Sequence, residues 1–206
     1  AFFSSFNLFA QKVTVVSPDK KINIGLFNTK NGESGEWYLK VSYINNGKIT
    51  EAIPQIILGL SRADQDFSKE LRYLKNSKIT LINENYTALH GKRTNCSNSA
   101  NETVVAFENP GKAKMNLFIR AYNDGIAFRY EFPEKSGSFV MNDELTTYAI
   151  PDSTRRWLEK FNPANEALYT SMKDGSIQQD WAYPALFNTQ DNACWYLIHE
   201  ADLNRN

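Results

Sequence analysis

From Lys12 onward apolar and polar residues alternate in short runs, each closed by turn-forming residues, and the period is that of strands rather than helices. "KVTVV" is closed by "SPDKK", "INIGLF" by "NTKNGESGE" and "WYLKVSYI" by "NNGK", so the first third reads as a β-meander. The Asn46-Gly47 pair predicts a tight hairpin, because glycine accepts positive φ without a steric penalty. "MNLFIRAYNDGIAFRYEFP" carries the strongest local signal, two alternating runs joined at Asp124-Gly125 as a type I′ hairpin. In that register Asn123 pairs with Ile126, Ala121 with Phe128, Ile119 with Tyr130 and Leu117 with Phe132, giving one apolar face. Arg120 then stands across from Arg129, a like-charge pair that needs carboxylates or an anion beside it, with Glu131 as one neighbour. An ion-pair network on an outer sheet face is favoured over an anion clamp.

Other stretches read less regularly. Asp66 to Asn76, "DFSKELRYLKN", is treated as a loop excursion with the option of a short helix, since Phe67, Leu71 and Leu74 form a thin stripe. His90 to Thr103 is rich in Asn, Ser and Gly and reads as a long surface connection, with glycosylation sequons at Asn95 and Asn101 and another at Asn85. "FVMNDELTTYAI" reads as a strand pair or extended segment. The stretch around Trp157, between Pro151 and Pro163, is read as mostly irregular with a short helix. The ending "YPALFNTQDNACWYLIHEADL" returns to strand, a turn at Asp191-Asn192, and a second strand through Ile198. The predicted class is all-β, mainly antiparallel, with few short helices.

A length of 206 residues suits one large all-β domain, predicted over residues 12–206 and expected to be cut short at its C-terminal end. Residues 1–11, "AFFSSFNLFAQ", read as a signal-peptide remnant or an apolar arm, which implies export. Lys plus Arg and Asp plus Glu each number 23, so no basic surplus exists to neutralise a phosphate backbone, and nucleic acid is not an expected partner. No apolar run approaches the roughly 18 residues of a membrane-spanning helix. Aromatic content of 13% suits both half-buried strands and sugar-stacking surfaces, and does not choose between them. Cys96 and Cys194 are too few for a disulfide scaffold, although a single bridge is open to them.

The chain has no nucleophile elbow, phosphate loop or dinucleotide fingerprint. Its two histidines, His90 and His199, with Glu200 match the residue types of a mutarotase-like sugar epimerase, but no motif holds them together. Glu166, Asp180, Glu200 and Asp202 are loose candidates for a glycosidase carboxylate pair, and no spacing singles out two of them. Successive strand residues point to opposite faces, so His199 and Glu200 should not both face one ligand while the strand continues. A stand-alone carbohydrate-binding or interaction module is the alternative from another class.

"VSPDKKINIGL", "LGL" at Leu58 to Leu60, "GKR…CSNSANETVVAF", "FIRAYNDGIAFRYEFP" and "LIHEADL", in that order, resemble the N-terminal domain of glycoside hydrolase family 97. The most specific segments are "RAYNDGIAFRYEFP" and "HEA". The resemblance implies a β-super-sandwich of the galactose-mutarotase-like kind, an oligosaccharide substrate and α-glucosidase or α-galactosidase activity in an exported enzyme of Gram-negative bacteria. It further implies a catalytic (β/α)₈ barrel in the same polypeptide that carries the general acid and the base or nucleophile, none of which lies in this chain. Glu200 matches the motif glutamate that the family's N-terminal domain gives to a calcium ion beside the substrate, and His199 matches the adjacent, structural histidine. The family's following "AL" and "DY" residues are not found in "ADLNRN", so the match ends near Asp202.

Overall fold

The computed structural model describes residues 11–30, 32–134, 138–164, 166–173 and 180–201. In chain order the strands are β1 (Gln11–Val16), β2 (Ile22–Asn28), β3 (Ser34–Gly35), β4 (Trp37–Asn45), β5 (Lys48–Ile57), β6 (Leu60–Arg62), β7 (Leu71–Asn76), β8 (Thr80–Thr87) and β9 (Asn95–Glu108). They continue with β10 (Lys114–Tyr122), β11 (Ile126–Glu131), β12 (Met141–Glu144), β13 (Thr147–Ala149), β14 (Arg155–Leu158), β15 (Thr170–Met172), β16 (Ala185–Asn188) and β17 (Trp195–Ile198). Every regular element among the described residues is a strand, every pairing is antiparallel, and no helix there is long and apolar enough to cross a membrane. The expected short helices are absent among these residues.

Two sheets face one another. One has the order β1-β2-β4-β5-β13, the predicted meander closed by a later strand; the other runs β11-β10-β9-β7-β3, with β8 also on β9. The meander's hairpin turns at Asn46 (φ 50) and Gly47 (φ 79), as its Asn-Gly pair predicts. Alternation delivers the core: Val13 and Val15 of β1, Ile24 and Leu26 of β2, and Met115, Leu117, Ile119 and Ala121 of β10 are all buried in one cluster. Trp37 joins the sheets. Its ring lies 5.2 Å from that of Phe107 and 5.9 Å from that of Tyr73, and its Nε1–H donates to Leu71 O at 2.8 Å. The indole thus brings a large apolar body across the interface without leaving its one polar group unpaired.

The β10–β11 hairpin differs from the expected register by two residues. Ala121 pairs with Ile126, Ile119 with Phe128 and Leu117 with Tyr130, and Tyr122 N donates to Gly125 O at 2.8 Å across Asn123 and Asp124. None of Asn123, Asp124 and Gly125 takes positive φ, so the turn is not type I′. A slip of two keeps every side chain on its face, so hydrophobic alternation cannot distinguish the two registers. Arg120 therefore stands opposite Ala127, not Arg129. Its guanidinium binds the Glu102 carboxylate, Glu84 at 2.9 Å and the Tyr122 hydroxyl at 3.1 Å, while Arg129 lies over the Phe118 ring at 4.4 Å. This is the outer-face ion-pair arrangement.

Three other expectations are corrected. Residues 71–76 are strand β7, neither the expected loop excursion nor its optional short helix; Leu71 and Tyr73 point into the core with period two. Residues 95–108 form one strand of 14 residues rather than a surface connection. Residues 95–99 pair with β8 beyond the end of β10 and none of them is buried, so no apolar alternation marks them. Around Trp157 the chain is strand β14, in a four-stranded sheet ordered β15-β14-β16-β17. Its inward Leu158, with Ala185, Phe187 and Ile198, extends the same core cluster. Cys96 and Cys194 are both free thiols.

Replacing Trp37 by Ala should cost about 3–5 kcal/mol of folding stability, the range for losing a large buried aromatic. Leu89→Ala, at a side chain 91% exposed, should stay within about 0.5 kcal/mol. Urea unfolding midpoints of the two variants measure the contrast.

Candidate functional site

Strand β17 ends at Ile198, which is buried and pairs with Ala185 of β16. His199 and Glu200 follow beyond the last strand residue, both exposed, so strand alternation no longer governs where they point. The register that sets Ala185 opposite Ile198 carries Tyr183 toward Glu200. Two phenols feel the charge of Glu200. Burial pushes the Tyr183 phenol up, and the charges of Glu200 and Glu144 add to it. The Tyr148 phenol of β13 is also raised, first by burial, then by Tyr183, Glu144, Tyr130 and Glu200.

The floor under this cluster is held by Tyr130. Its hydroxyl accepts from Gly59 N at 3.3 Å and shares a 2.8 Å hydrogen bond with Thr146 Oγ1, so one phenol from β11 fixes both the β5–β6 and β12–β13 connections. Leu145 N donates to Gly59 O at 2.9 Å and closes the same junction. Glu144, the last residue of β12, pairs with Leu60 and is held at its edge. Burial pushes the Tyr130 phenol up to about 12.

The result is a rim with two carboxylates and phenols that stay protonated at neutral pH. Such a set offers oxygen ligands and hydroxyl donors, and its field favours a cation or the hydroxyl groups of a sugar. It is not a complete metal site, because no group of three or more His, Cys, Asp or Glu able to hold an ion occurs among the described residues. Calcium takes six to eight oxygens, so the residues present do not fit it without others.

The remaining sequence candidates do not converge here as a set. His90 is exposed in the turn between β8 and β9, on a different sheet from His199 and Glu200. Glu166 and Asp180 are exposed in the segments flanking β15, and Asp202 lies outside the described residues. Glu144, Tyr148 and Tyr183 were not singled out by sequence; Glu144 stands in "MNDELTTYAI" with no spacing that ties it to residue 200.

The raised phenols set a sign for pH dependence. A folded tyrosine above its ordinary value of 10.0 keeps its proton where the unfolded chain has lost it. Its contribution to stability is complete below about pH 10 and is lost as pH rises through the folded value. Alkaline titration of phenolate absorbance should therefore show a late-ionising group. Glu200→Gln should lower the Tyr183 midpoint while leaving Tyr130 at about 12. An unchanged Tyr183 midpoint in the variant would separate the two side chains.

Comparison with known proteins bears on the fold and the family. The chain is 28% identical over 148 residues to a protein named "Probable retaining alpha-galactosidase" from Streptomyces bingchenggensis (strain BCW-1), a match covering 71% of this chain and 22% of that protein. The crystal structure of a β-arabinopyranosidase superposes with a TM-score of 0.79 at 25% identity, covering 91% of this chain and 31% of that one. A glycoside hydrolase family 97 enzyme in complex with acarbose, from Pseudoalteromonas sp. strain K8, shares the fold with a TM-score of 0.71 at 22% identity, over 87% of this chain and 27% of that one. The chain thus spans under a third of each of these proteins. Residues 15–206 match the family model described as "Glycosyl-hydrolase 97 N-terminal", and the chain belongs to that family.

Proposed function

We propose that the chain is the N-terminal sandwich of an exported, calcium-dependent α-glycosidase that hydrolyses α-galactosides or α-glucosides in the periplasm or at the outer surface of a Gram-negative bacterium. The observation that carries this reading is the family match across residues 15–206. A sequence relative named as an α-galactosidase supports the activity. The apolar opening "AFFSSFNLFAQ" supports export; its first ten residues lie outside the described ones.

In this reading the acid and the base or nucleophile belong to a (β/α)₈ barrel elsewhere in the polypeptide, and this domain forms one wall of the active site. Glu200 supplies one carboxylate to a calcium ion whose other oxygens come from outside this chain. Bound there, the ion would orient a sugar hydroxyl and offset charge near the glycosidic oxygen. Tyr183 and Tyr148, neutral phenols whose ionisation the Glu200 charge opposes, add no charge of their own.

The 206-residue chain alone should not cleave aryl α-galactosides, α-glucosides or β-arabinopyranosides, and should bind Ca²⁺ no tighter than about the millimolar range. The longer polypeptide carrying it should hydrolyse at least one of these substrates and lose activity in a chelator. Glu200→Gln in that polypeptide should weaken calcium by at least the roughly 10–100-fold that losing a supporting outer-shell group costs. Turnover by the short chain, or chelator-resistant turnover by the long one, would overturn the reading.

A further inference from the structure

The outer face of the β15-β14-β16-β17 sheet is unlike the other solvent faces. Trp157, Leu186 and Leu197 stand side by side across three strands, and Trp195 occupies the next row of the same face. Tyr169 and Pro184 complete a shallow apolar depression with the first three. Leu197 is 57% exposed, Trp195 55% and Tyr169 47%. The face is held in shape. Trp157 and Trp195 stack at 4.9 Å with their planes 25° apart, and the Tyr169 hydroxyl donates to Pro184 O at 3.3 Å. The Asn188 amide is best satisfied with its oxygen toward Trp195, whose Nε1–H then donates to it at 2.8 Å.

We propose that this face is the seat of the part of the polypeptide that follows residue 206, the inference resting on the reading of the chain as one domain of a larger glycosidase. Three observations select that occupant. The matched proteins are about three times as long, since the match covers 22–31% of them. The strand that leads to Glu200, β17, contributes Trp195 and Leu197 to the face, so a body seated here adjoins the Glu200 rim. The chemistry is that of a protein interface core, apolar and aromatic at the centre with Arg155 beside it, its guanidinium 5.9 Å from the Trp157 ring. A sugar would need convergent polar groups, and the five side chains lining the depression supply one hydroxyl, already bonded to Pro184.

Hydroxyl-radical footprinting of the 206-residue chain and of the longer polypeptide tests the proposal, read by mass spectrometry at Trp195 and Leu197 with exposed Leu89 as the control. Oxidation at Trp195 and Leu197 should fall by about tenfold in the longer polypeptide, as for side chains at the core of an interface, while Leu89 stays unchanged. Leu197→Asp should leave the unfolding midpoint of the short chain in place and lower that of the long one. Equal reactivity of Trp195 in both would overturn the proposal. So would protection that vanishes when the long polypeptide is diluted to monomers, which indicates a second copy, or protection that appears only with added oligosaccharide. Hydrolysis by a long polypeptide with a reactive Trp195 defeats this inference alone; a protected Trp195 without hydrolysis defeats only the proposed activity.

Discussion

The contact between Trp37 and the opposite sheet is the constraint on which the rest of the structure depends. Each sheet has one apolar face that must be removed from water, and the two can only satisfy each other. Trp37 is the largest side chain buried there, and it is anchored by a hydrogen bond to Leu71 O of the facing sheet as well as by ring contacts with Phe107 and Tyr73. The hydrogen bond fixes where β4 sits relative to β7. The apolar area alone would tolerate sliding, since burial is not directional.

From that fixed pair of sheets the rim around residue 200 follows by short steps. Tyr130 packs its ring against the core and sends its hydroxyl to Gly59 and Thr146, which sets the height of the β12–β13 connection and hence of Glu144 and Tyr148. The four-stranded sheet shares the core through Leu158, Ala185, Phe187 and Ile198, and its register brings Tyr183 toward Glu200. A second buried device holds the neighbouring segment. Arg62 is clamped by Asp64 and Glu134 while the rings of Phe67, Phe132 and Phe139 surround its guanidinium, the nearest centroid at 3.8 Å. Charge pairing and aromatic contact there act on the same side chain, so a cation can be buried without an unpaired charge.

How much of this was legible in the sequence depended on whether each element has one wet face and one dry. Strands β1 and β10 do, and their alternation announced both their existence and their core residues. Residues 95–99 of β9 bury no side chain, so "NCSNS" carries only turn-like composition although it belongs to a continuous strand. The β10–β11 register was misplaced by two because alternation is blind to even slips; what distinguishes the registers is Arg120 reaching Glu102 and Glu84, a tertiary fact. Strand β14 was hidden differently. Its outward side chain is Trp157, as apolar as its inward Leu158, so no alternation shows on a face that we propose is covered. Glu200 was found through family resemblance, whereas Glu144, Tyr148 and Tyr183 are brought to it by folding and have no local signature.

In the proposed function Glu200 helps hold a calcium ion close to Tyr183 and Tyr148, with its other ligands on the remainder of the enzyme. Terbium replaces calcium at oxygen-ligand sites and emits when a nearby tyrosine is excited, so tyrosine-sensitised terbium luminescence of the longer polypeptide tests that claim most directly. The account predicts emission that calcium displaces competitively and that Glu200→Gln abolishes while the unfolding midpoint of the 206-residue chain is unchanged. Emission of equal strength in the Glu200→Gln variant would contradict it.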